Sequence, residues 1–377
     1  MKNYLEKIIG TMKIKLLVDA HIFDDSFQGT TTYLSGLYNS LVIDSEFEIY
    51  LAASNTDSLK STFTNERFKF INLPKSTKFK RILYDFPRII KQNKIDIAHF
   101  QYITPPIKNC KYINTIHDLL FIEYPQYFPL RYKIINYCAF FLSAINSDLI
   151  CTVSEYSKSS LIKYFKIREN KLLITPNGMN PVGPLESTFI NNYNHGLYLL
   201  FVGRMEPRKN HLLLLKAYVE LKLYNQNLNL VFIGKIKDLE VVNFNIYYKN
   251  LPIEIKNRVI ILQDISKHEL EYFYKNASLF VYTSVAEGFG IPPLEAIMNG
   301  CKVICSNQTA MADFEFFGKY LFDPNNFNEL KDKIVSTLQE KKYPFEEIQK
   351  AIRERYCWRK ISEKFSERIK LILNVNS

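Results

Sequence analysis

The sequence predicts an α/β protein made of two doubly wound parallel sheets. Short apolar runs alternate with longer segments of helical periodicity along most of the chain, as is typical of strand–helix–strand units. A segment rich in Pro, Gly and Asn at 177–196 interrupts this alternation, which then restarts. A length of 377 residues accommodates two such domains. Ligand is then expected in a cleft between them, at the carboxyl ends of strands.

Six apolar runs before the interruption are predicted as buried strands, with helices between several of them. The strands are 14–20, 47–53, 95–100, 112–117, 148–154 and 171–176, and the helices are 31–43, 79–93, 129–146 and 155–165. After the interruption the predicted strands are 198–203, 228–234, 258–262, 278–284 and 301–306. Helices are predicted at 210–224, at 267–276 and from about 292, and the last segment, 345–373, is also helical in pattern.

The composition restricts the cellular setting. Lys and Arg (49) exceed Asp and Glu (38) by 11, which favours anionic partners such as phosphates, acidic lipid headgroups or nucleic acid. Cysteines such as Cys138 and Cys151 lie in apolar runs and form no C-x-x-C pair, which predicts a reducing compartment. The N-terminus shows no signal-peptide pattern, and Met12 is an alternative start that would exclude residues 1–11. We expect a cytoplasmic protein without a spanning helix.

Cationic side chains follow the first strand of the second half, in "LFVGRMEPRKN" (200–210). Arg204 and Lys209 lie on the loop that leads into a helix with Asn210 as its expected N-cap. Cations at a strand's carboxyl end, beside a helix N-terminus, are suited to bind a diphosphate. An arginine after a strand is more often a solvated loop residue, so this stretch alone leaves both interpretations open.

Two glutamates flank a glycine turn in "SVAEGFGIPPLEAIMNG" (284–300). Gly288 and Gly290 permit a close backbone approach to a ligand, and the Pro-Pro step fits a first helical turn. Glu287 is placed to accept hydrogen bonds from sugar hydroxyls, and Glu295 from a second hydroxyl pair such as a ribose. A surface Glu287 and a Glu295 that only complements the helix dipole fit the local pattern equally well.

Two weaker candidates lie in the first half. His117 follows a predicted strand in "NTIHDLLF", at the position of a cleft residue, although a single histidine is more often structural. Gly29 follows the first strand and precedes a helix, where it would let a phosphate approach the helix N-terminus.

Seven stretches in this order resemble the retaining glycosyltransferases of family 4, over nearly the whole chain. They are "GTTTYL", "IHD", "CTVSEYSK", "TPNGM", "FVGRMEPRKN", "EGFGIPPLEA" and "CKVICSN". The resemblance implies the GT-B architecture, an α/β fold of two Rossmann-like doubly wound domains facing across a cleft. The implied domains are 12–183 on the acceptor side and 184–356 for the nucleotide-sugar, with a C-terminal helix, 357–377, that packs back on the first domain.

The resemblance also implies roles for particular residues. Arg204 and Lys209 would hold the donor diphosphate and stabilise the leaving group, with Glu287 and His117 at the donor sugar. The remaining donor contacts would come from Gly29, Ile265, Gly288, Phe289, Gly290, Ile291 and Glu295. The implied reaction retains anomeric configuration by front-face displacement, with no metal and no cofactor beyond the nucleotide-sugar co-substrate.

The sequence departs from the family pattern at two places that bear on ligand contacts. The glycine-rich first loop is reduced to Gly29, and "QTAMADFEFF" after "CSN" lacks the expected Pro-Glu pair. GDP-mannose, UDP-sugars and dTDP-rhamnose all remain compatible as donors, and GDP-mannose is favoured. The expected acceptor is a glycan or a lipid-linked glycan of a bacterial surface polysaccharide.

The basic segment 74–94 carries seven Lys and Arg residues among Phe, Ile and Leu. It fits peripheral contact with the inner face of an anionic membrane, and equally a solvated helix that covers the sheet. Other functions remain as alternatives: a sugar-nucleotide epimerase or a phosphorylase on the same fold, or a basic nucleic-acid-binding protein. No nucleic-acid recognition motif accompanies the charge, so nucleic acid is not expected as a partner. Neither half offers the G-x-G-x-x-G of a dehydrogenase.

Overall fold

The computed structural model describes residues 13–24, 29–179, 196–236 and 242–374. It divides into two compact units, Met1–Gly178 with Tyr356–Ser377, and Met179–Arg355. Residues 1–11 and most of the expected linker, including the expected domain boundary between 183 and 184, lie outside the described residues.

The first unit contains a parallel sheet of seven strands within its described residues. The strands are β1 (Ile14–Asp19), β2 (Phe47–Ala53), β3 (Phe68–Asn72), β4 (Ile97–Gln101), β5 (Lys111–Thr115), β6 (Leu149–Thr152) and β7 (Leu172–Ile174). Their order across the sheet is β3-β2-β1-β4-β5-β6-β7. This order reverses direction at β1, which is the topology of a doubly wound Rossmann-like domain.

Helices connect these strands on both faces of the sheet. They are α1 (Gly29–Leu41), α2 (Thr56–Thr62), α3 (Lys78–Lys80), α4 (Phe86–Asn93), α5 (Leu120–Glu123), α6 (Leu130–Asn146) and α7 (Glu155–Phe165). A π-helical turn, Arg81–Asp85, joins α3 to α4. Short 3₁₀ turns lie at His21–Asp24, Pro125–Tyr127 and Glu169–Lys171.

The second unit contains a second parallel sheet, of six strands within its described residues. The strands are β8 (Leu197–Val202), β9 (Leu228–Ile233), β10 (Val259–Leu262), β11 (Leu279–Tyr282), β12 (Val303–Ser306) and β13 (Leu321–Phe322), in the order β10-β9-β8-β11-β12-β13. The helices are α8 (His211–Glu220), α9 (Val242–Lys249), α10 (Ile253–Lys256), α11 (Lys267–Asn276), α12 (Ile291–Met298), α13 (Phe327–Gln339) and α14 (Phe345–Arg355). Turns of 3₁₀ type lie at Pro207–Lys209, Leu223–Gln226, Thr309–Asp313 and Glu315–Tyr320.

Helix α15 (Trp358–Leu373) follows the second unit in sequence but packs on α1 of the first. The Trp358 ring lies so close to Gly36 and Gly178 that a Cβ on either glycine would come within 2.0 and 2.5 Å of it. Ser362 Oγ lies 2.8 Å from Ser40 Oγ on α1, at hydrogen-bonding distance. The first unit is therefore completed by a helix from the far end of the chain.

The predicted doubly wound α/β class is confirmed, with local differences. Strands β3 and β13 were not predicted, and the helix expected at 79–93 is interrupted by the π-helical turn. The helix expected at 210–224 ends at Glu220 and gives way to a 3₁₀ turn. The interpretation of Cys138 as a small buried hydrophobe is wrong, because its side chain is exposed on α6.

Two further observations concern the whole described chain. The six cysteines are all free thiols. Across residues 13–24, 29–179, 196–236 and 242–374, no helix combines the length and apolar content needed to cross a bilayer.

Candidate functional site

Two loops at the carboxyl ends of adjacent strands form the candidate site in the second unit. One follows β8 and contains the 3₁₀ turn Pro207–Lys209, and the other follows β11 and leads into α12. The backbone N–H of Val285 donates to the Arg208 carbonyl at 2.9 Å, and the Thr283 hydroxyl donates to the Lys209 carbonyl at 3.2 Å. Because β8 and β11 are hydrogen-bonded neighbours, these bonds join loops that are distant in sequence.

Glu287 is the centre of this site. Its side chain is buried, and Oε1 accepts hydrogen bonds from Lys209 Nζ, from the Tyr282 hydroxyl at 2.7 Å and from the Ser284 hydroxyl at 2.6 Å. Its Oε2 accepts from Arg208 Nη1 at 3.0 Å. The structure thus brings the predicted site residues Glu287 and Lys209 into direct contact.

The pKa values of Glu287 and Lys209 are shifted by burial and by the neighbouring charges. Burial alone would raise the pKa of Glu287, but the charges of Lys209 and Arg208, with hydrogen bonds from Lys209 and Ser284, lower it to about 2. Burial lowers the pKa of Lys209, and Glu287 opposes this effect. Burial together with the neighbouring carboxylate raises the pKa of Tyr282, which keeps its hydroxyl a hydrogen-bond donor.

Arg208 and Glu206 extend the cluster, and neither was predicted as a site residue. Arg208 Nη2 lies 2.9 Å from Glu206 Oε2, and Arg204 Nε lies 3.2 Å from Glu206 Oε1. Charges of alternating sign therefore run from the half-exposed Arg204 inward to Glu287. The sequence signal for Arg208 was its position beside Lys209 in a loop already identified by its cations.

The loop between Glu287 and α12 takes a shape that requires glycine. Gly290 adopts a left-handed conformation (φ 99°), and an added Cβ would come within 3.2 Å of the Met311 side chain. The Glu287 N–H donates to the Thr309 hydroxyl at 2.9 Å, in the segment that lacks the family's Pro-Glu pair. Gly288 and Phe289 are buried, and Ile291 is half-buried as the first residue of α12.

Glu295 lies on α12 with different partners from Glu287. Its Oε2 accepts a hydrogen bond from the Tyr274 hydroxyl of α11 at 3.0 Å. Burial raises the pKa of Glu295, although the bond from Tyr274 lowers it in part. Ile265 is half-buried in the loop between β10 and α11, one residue before the N-cap Ser266. Asn210 does stand at the N-cap position of α8, in a left-handed conformation and without a side-chain capping bond.

His117 and Gly29 lie in the first unit. His117 is buried after β5, with Nε2 2.9 Å from Gln101 Oε1 and its ring 5.0 Å, edge-on, from Tyr33 of α1. Burial lowers the pKa of His117 to about 4, so the imidazole is neutral at physiological pH. Gly29 is exposed at the first residue of α1, one turn before Tyr33.

Behind His117 lies a buried polar network. His99 Nδ1 is 2.5 Å from the Tyr38 hydroxyl, and His99 Nε2 is 2.7 Å from the Thr115 hydroxyl. Burial lowers the pKa of His99 to about 3. Within the described residues, no group of three or more His, Cys, Asp or Glu side chains is arranged to bind a metal ion.

Two family models match the chain. The model described as "Glycosyl transferases group 1" matches residues 186–355, and that described as "Glycosyltransferase Family 4" matches residues 28–182. The chain is 28% identical over 236 residues to an O-antigen chain mannosyltransferase B of Escherichia coli. The matched segment covers 60% of this chain and 61% of that protein. It is 30% identical over 196 residues to the O-antigen chain mannosyltransferase RfbU of Salmonella typhimurium, at 51% of each chain.

The matched segments thus span about half to three fifths of these curated relatives. Among solved structures, HepE of Anabaena in complex with UDP-glucose superposes with a TM-score of 0.71 at 15% identity, over 94% of this chain and 99% of that one. Two Rossmann-like units of this topology, with a cation–carboxylate cluster at strand ends, define a protein of the GT-B fold class. The family models and relatives place it more narrowly: the chain belongs to the group 1 glycosyltransferases.

Proposed function

We propose that the protein is a glycosyltransferase that moves a sugar from a nucleotide-sugar donor to a glycan or a lipid-linked glycan in bacterial surface polysaccharide synthesis. The observation that carries this proposal is the cluster of Lys209, Arg208 and Glu287 at the strand ends of the second unit. Family membership and the names of the O-antigen relatives support it.

The cations of the cluster suit the charge that develops on a departing nucleoside diphosphate. Lys209 and Arg208 are held by Glu287, so their positions are set before a ligand arrives. Arg204, half-exposed at the outer end of the cluster, would bind the diphosphate in a bidentate manner. Positioned cations of this kind stabilise a leaving group without a metal ion.

The other expected contacts complete the donor site in this proposal. Glu287 with the amides of Gly288, Phe289 and Gly290 would face the donor sugar, and Glu295 would bind the ribose. Ile265 and Ile291 would lie beside the nucleotide. In the first unit, on the acceptor side, His117 would contact the sugar as a neutral imidazole, and Gly29 would let the donor phosphate or the acceptor approach α1.

We assign a retaining, metal-independent mechanism. The leaving phosphate itself would help to deprotonate the acceptor as the new glycosidic bond forms on the same face of the sugar. GDP-mannose is the proposed donor, since both O-antigen relatives are named mannosyltransferases. The solved complex of HepE with UDP-glucose makes UDP-sugars the competing class. A thermal-shift comparison of GDP-mannose, UDP-glucose and dTDP-rhamnose, each with and without Mg²⁺, tests the donor.

The first prediction concerns catalysis by the cluster. Lys209→Ala and Glu287→Ala should each lower kcat/KM for sugar transfer about a hundredfold or more, because Lys209 supplies positive charge to the leaving group, and Glu287 holds Lys209 and Arg208 in position and faces the donor sugar. Transfer is measured with radiolabelled donor and lipid-linked acceptor, and circular dichroism verifies the fold of each variant.

The matched control is the surface ion pair of Lys319 and Glu340 in the same unit. Lys319→Ala and Glu340→Ala carry the same changes in charge and should transfer sugar at the wild-type rate. Wild-type activity in both cluster variants would remove the site from the mechanism.

The alternative functions differ in simple observations. An epimerase would convert labelled nucleotide-sugar with no acceptor present, and a phosphorylase would require inorganic phosphate. A nucleic-acid-binding protein would retain oligonucleotide on a filter at high salt.

We propose in addition a peripheral contact of segment 74–94 with the inner face of the membrane. Phe79 and Tyr84 of this segment are 77% and 71% exposed beside Lys78 and Lys80.

A further inference from the structure

Helix α6 exposes an unusually apolar face. Of its seventeen residues, only Phe140, Ser143 and Ala144 are buried. The exposed large apolar side chains are Leu130 (68%), Tyr132 (45%), Ile134 (58%), Ile135 (54%), Tyr137 (41%), Leu142 (64%) and Ile145 (55%). Exposed Cys138 lies among them. Scattered surface hydrophobes need no explanation, but a continuous apolar helix face marks an interaction surface.

The charged side chains of α6 are all positive. Segment 130–146 contains Arg131 and Lys133 and no acidic residue. At its C-terminal end, Phe141 and Ile145 line a surface pocket of about 590 Å³ whose other walls include three cations, Lys166, Arg168 and Lys171, and one carboxylate, Asp148. Lys171 donates to the carbonyls of Ala144 and Ile145, so it closes the end of the helix, whereas Lys166 and Arg168 are exposed. An apolar face between two groups of cations fits a partner with apolar and anionic parts.

The helical part of the basic segment 74–94, residues 78–93, covers the same face of the sheet as α6. Phe86 of α4 packs on Phe100, and the strand register pairs Phe100 with Asn114 and Asn114 with Ile150. Side chains at paired positions point to the same face of a sheet, and Ile150 belongs to the core cluster that contains Phe140 of α6.

The loop between β4 and β5 lies against both helices. Its Thr104 N–H donates a hydrogen bond to the Ser143 hydroxyl of α6 at 3.1 Å. Its Ile107 carbonyl accepts one from the hydroxyl of Tyr112, which belongs to the same core cluster as Phe86 of α4. Ile107 is itself 69% exposed. Apolar and basic side chains of α3, this loop and α6 therefore occupy one side of the first unit.

We propose that the outer face of α6 is a docking surface for an anionic lipid bilayer, with Ile134, Ile135 and Leu142 inserted among the acyl chains. Arg131, Lys133, Lys166 and Arg168 would contact lipid phosphates, and Phe79 and Tyr84 would extend the contact. The helix would lie in the plane of the interface, as amphipathic helices with apolar and basic surfaces do. The idea rests on the proposed function in one respect: a lipid-linked acceptor gives the docking its purpose.

A second copy of the chain fits this surface less well. A two-fold interface would place the same helix face against itself, and the cations at each end would meet no acidic residue of α6. Like charges at such an interface oppose association, whereas an anionic bilayer neutralises all of them.

The second prediction tests the surface by vesicle flotation. Wild-type protein should float with vesicles of phosphatidylcholine and phosphatidylglycerol, and should bind pure phosphatidylcholine vesicles much less. Ile134→Glu/Ile135→Glu should lower the apparent partition coefficient for the mixed vesicles by about tenfold or more, because it places two charges at the insertion site. The matched control is Ile246→Glu/Ile253→Glu, which changes two isoleucines of the second unit that are at least about as exposed and should bind as wild type does.

A second measurement uses the native Cys138. In a chain with Cys110→Ser and Cys357→Ser, a polarity-sensitive dye on Cys138 should shift to shorter wavelength with mixed vesicles and not with pure phosphatidylcholine. Unchanged flotation of the α6 variant, or no dye shift, overturns the proposal. A dimer in light scattering that the α6 variant dissociates, without vesicle binding, would assign the surface to a second copy.

The outcome is separable from that of the proposed function. The α6 variant should keep the wild-type thermal shift with the donor nucleotide-sugar, because none of its changes lies in the second unit. Loss of vesicle binding with donor binding intact therefore bears on docking alone. Loss of donor binding in Lys209→Ala with normal flotation bears on the glycosyltransferase site alone.

Discussion

At the scale of residues, the contact between Glu287 and Lys209 is a buried ion pair with additional hydrogen bonds. Removing charges from water is costly, and the pair is tolerated because Tyr282, Ser284 and Arg208 also bond the carboxylate. Both carboxylate oxygens are therefore occupied in this structure. A donor sugar that binds here would exchange bonds with these residues, so binding and the positions of the cations are coupled.

The third prediction follows from the depressed pKa of Glu287. Its folded pKa of about 2 lies below the ordinary value of 4.5, so its stabilising effect is complete above about pH 4.5 and is lost as the pH falls towards 2. Glu287→Gln should therefore lower the free energy of unfolding by about 3 kcal/mol at neutral pH, and the difference from wild type should shrink below about pH 4.5.

Urea unfolding followed by circular dichroism at several pH values measures this difference. Glu347→Gln, at an exposed position of α14, is the control and should leave the free energy of unfolding unchanged at each pH. A difference between Glu287→Gln and wild type that stays constant down to pH 2 would contradict the assignment.

The sequence indicated two residues of this site but not the ion pairs and hydrogen bonds that join them to their neighbours. Lys209 and Glu287 were identified from their places after strands, and the structure brings them together. Arg208 and Glu206 were missed because the identity of the partners depends on how the 3₁₀ turn Pro207–Lys209 directs each side chain. A sequence shows the number of charges in a loop but not which of them face one another.

At the scale of elements, the contact of α15 with α1 depends on one small residue. The Trp358 ring fills the space where a side chain at Gly36 would lie, and it also stands edge-on to Tyr33, 6.4 Å away. Close packing of this kind leaves no room for a methyl group.

The fourth prediction is that Gly36→Ala destabilises the first unit by about 2 kcal/mol or more, although alanine is the better helix former by about 1 kcal/mol. The reason is that the added Cβ would lie 2.0 Å from the Trp358 ring. The midpoint of urea unfolding measures the effect.

Ser35→Ala, on the neighbouring position of α1, is the control and should change the midpoint little. In Gly36→Ala/Trp358→Leu the two effects should not add, because the smaller side chain leaves space for the methyl group. Additive losses would show that the two residues act independently.

Helices and strands could be predicted from the sequence where their pattern of apolar residues is long enough. Long apolar runs located most strands, whereas β3 was missed because only Phe68 among its residues is fully buried. Strand β13 has two residues, too few for a pattern. The π-helical turn at Arg81–Asp85 leaves the helical spacing of apolar residues nearly intact, so periodicity could not reveal it.

At the scale of the whole molecule, the first unit is discontinuous in sequence. Trp358, Ile361, Phe365 and Ile369 of α15 are buried in it, although the entire second unit separates them from Gly178. The Phe365 ring covers the network beneath, at 5.6 Å from His99 and 6.4 Å from Tyr38. Without α15, these apolar and polar groups would face water.

The fifth prediction is that a chain ending at Arg355 keeps a folded second unit but loses the cooperative unfolding of the first. Calorimetry should show one of the transitions abolished, and a dye that binds exposed apolar surface should fluoresce strongly. A synthetic peptide of residues 356–374 added to the truncated chain should restore the missing transition. Unfolding identical to that of the full chain would contradict this role of α15.

The discontinuity has a consequence for folding during protein synthesis. On a ribosome, domains usually fold in the order in which they emerge, the N-terminal one first. Here the first unit cannot close until Trp358 and the rest of α15 have left the exit tunnel. At about 5–20 residues per second, translation of the second unit delays this closure by on the order of ten to forty seconds. During that interval the nascent first unit leaves the apolar side of α1 and the His99 network uncovered, and the later-made unit is the first that can reach its final form.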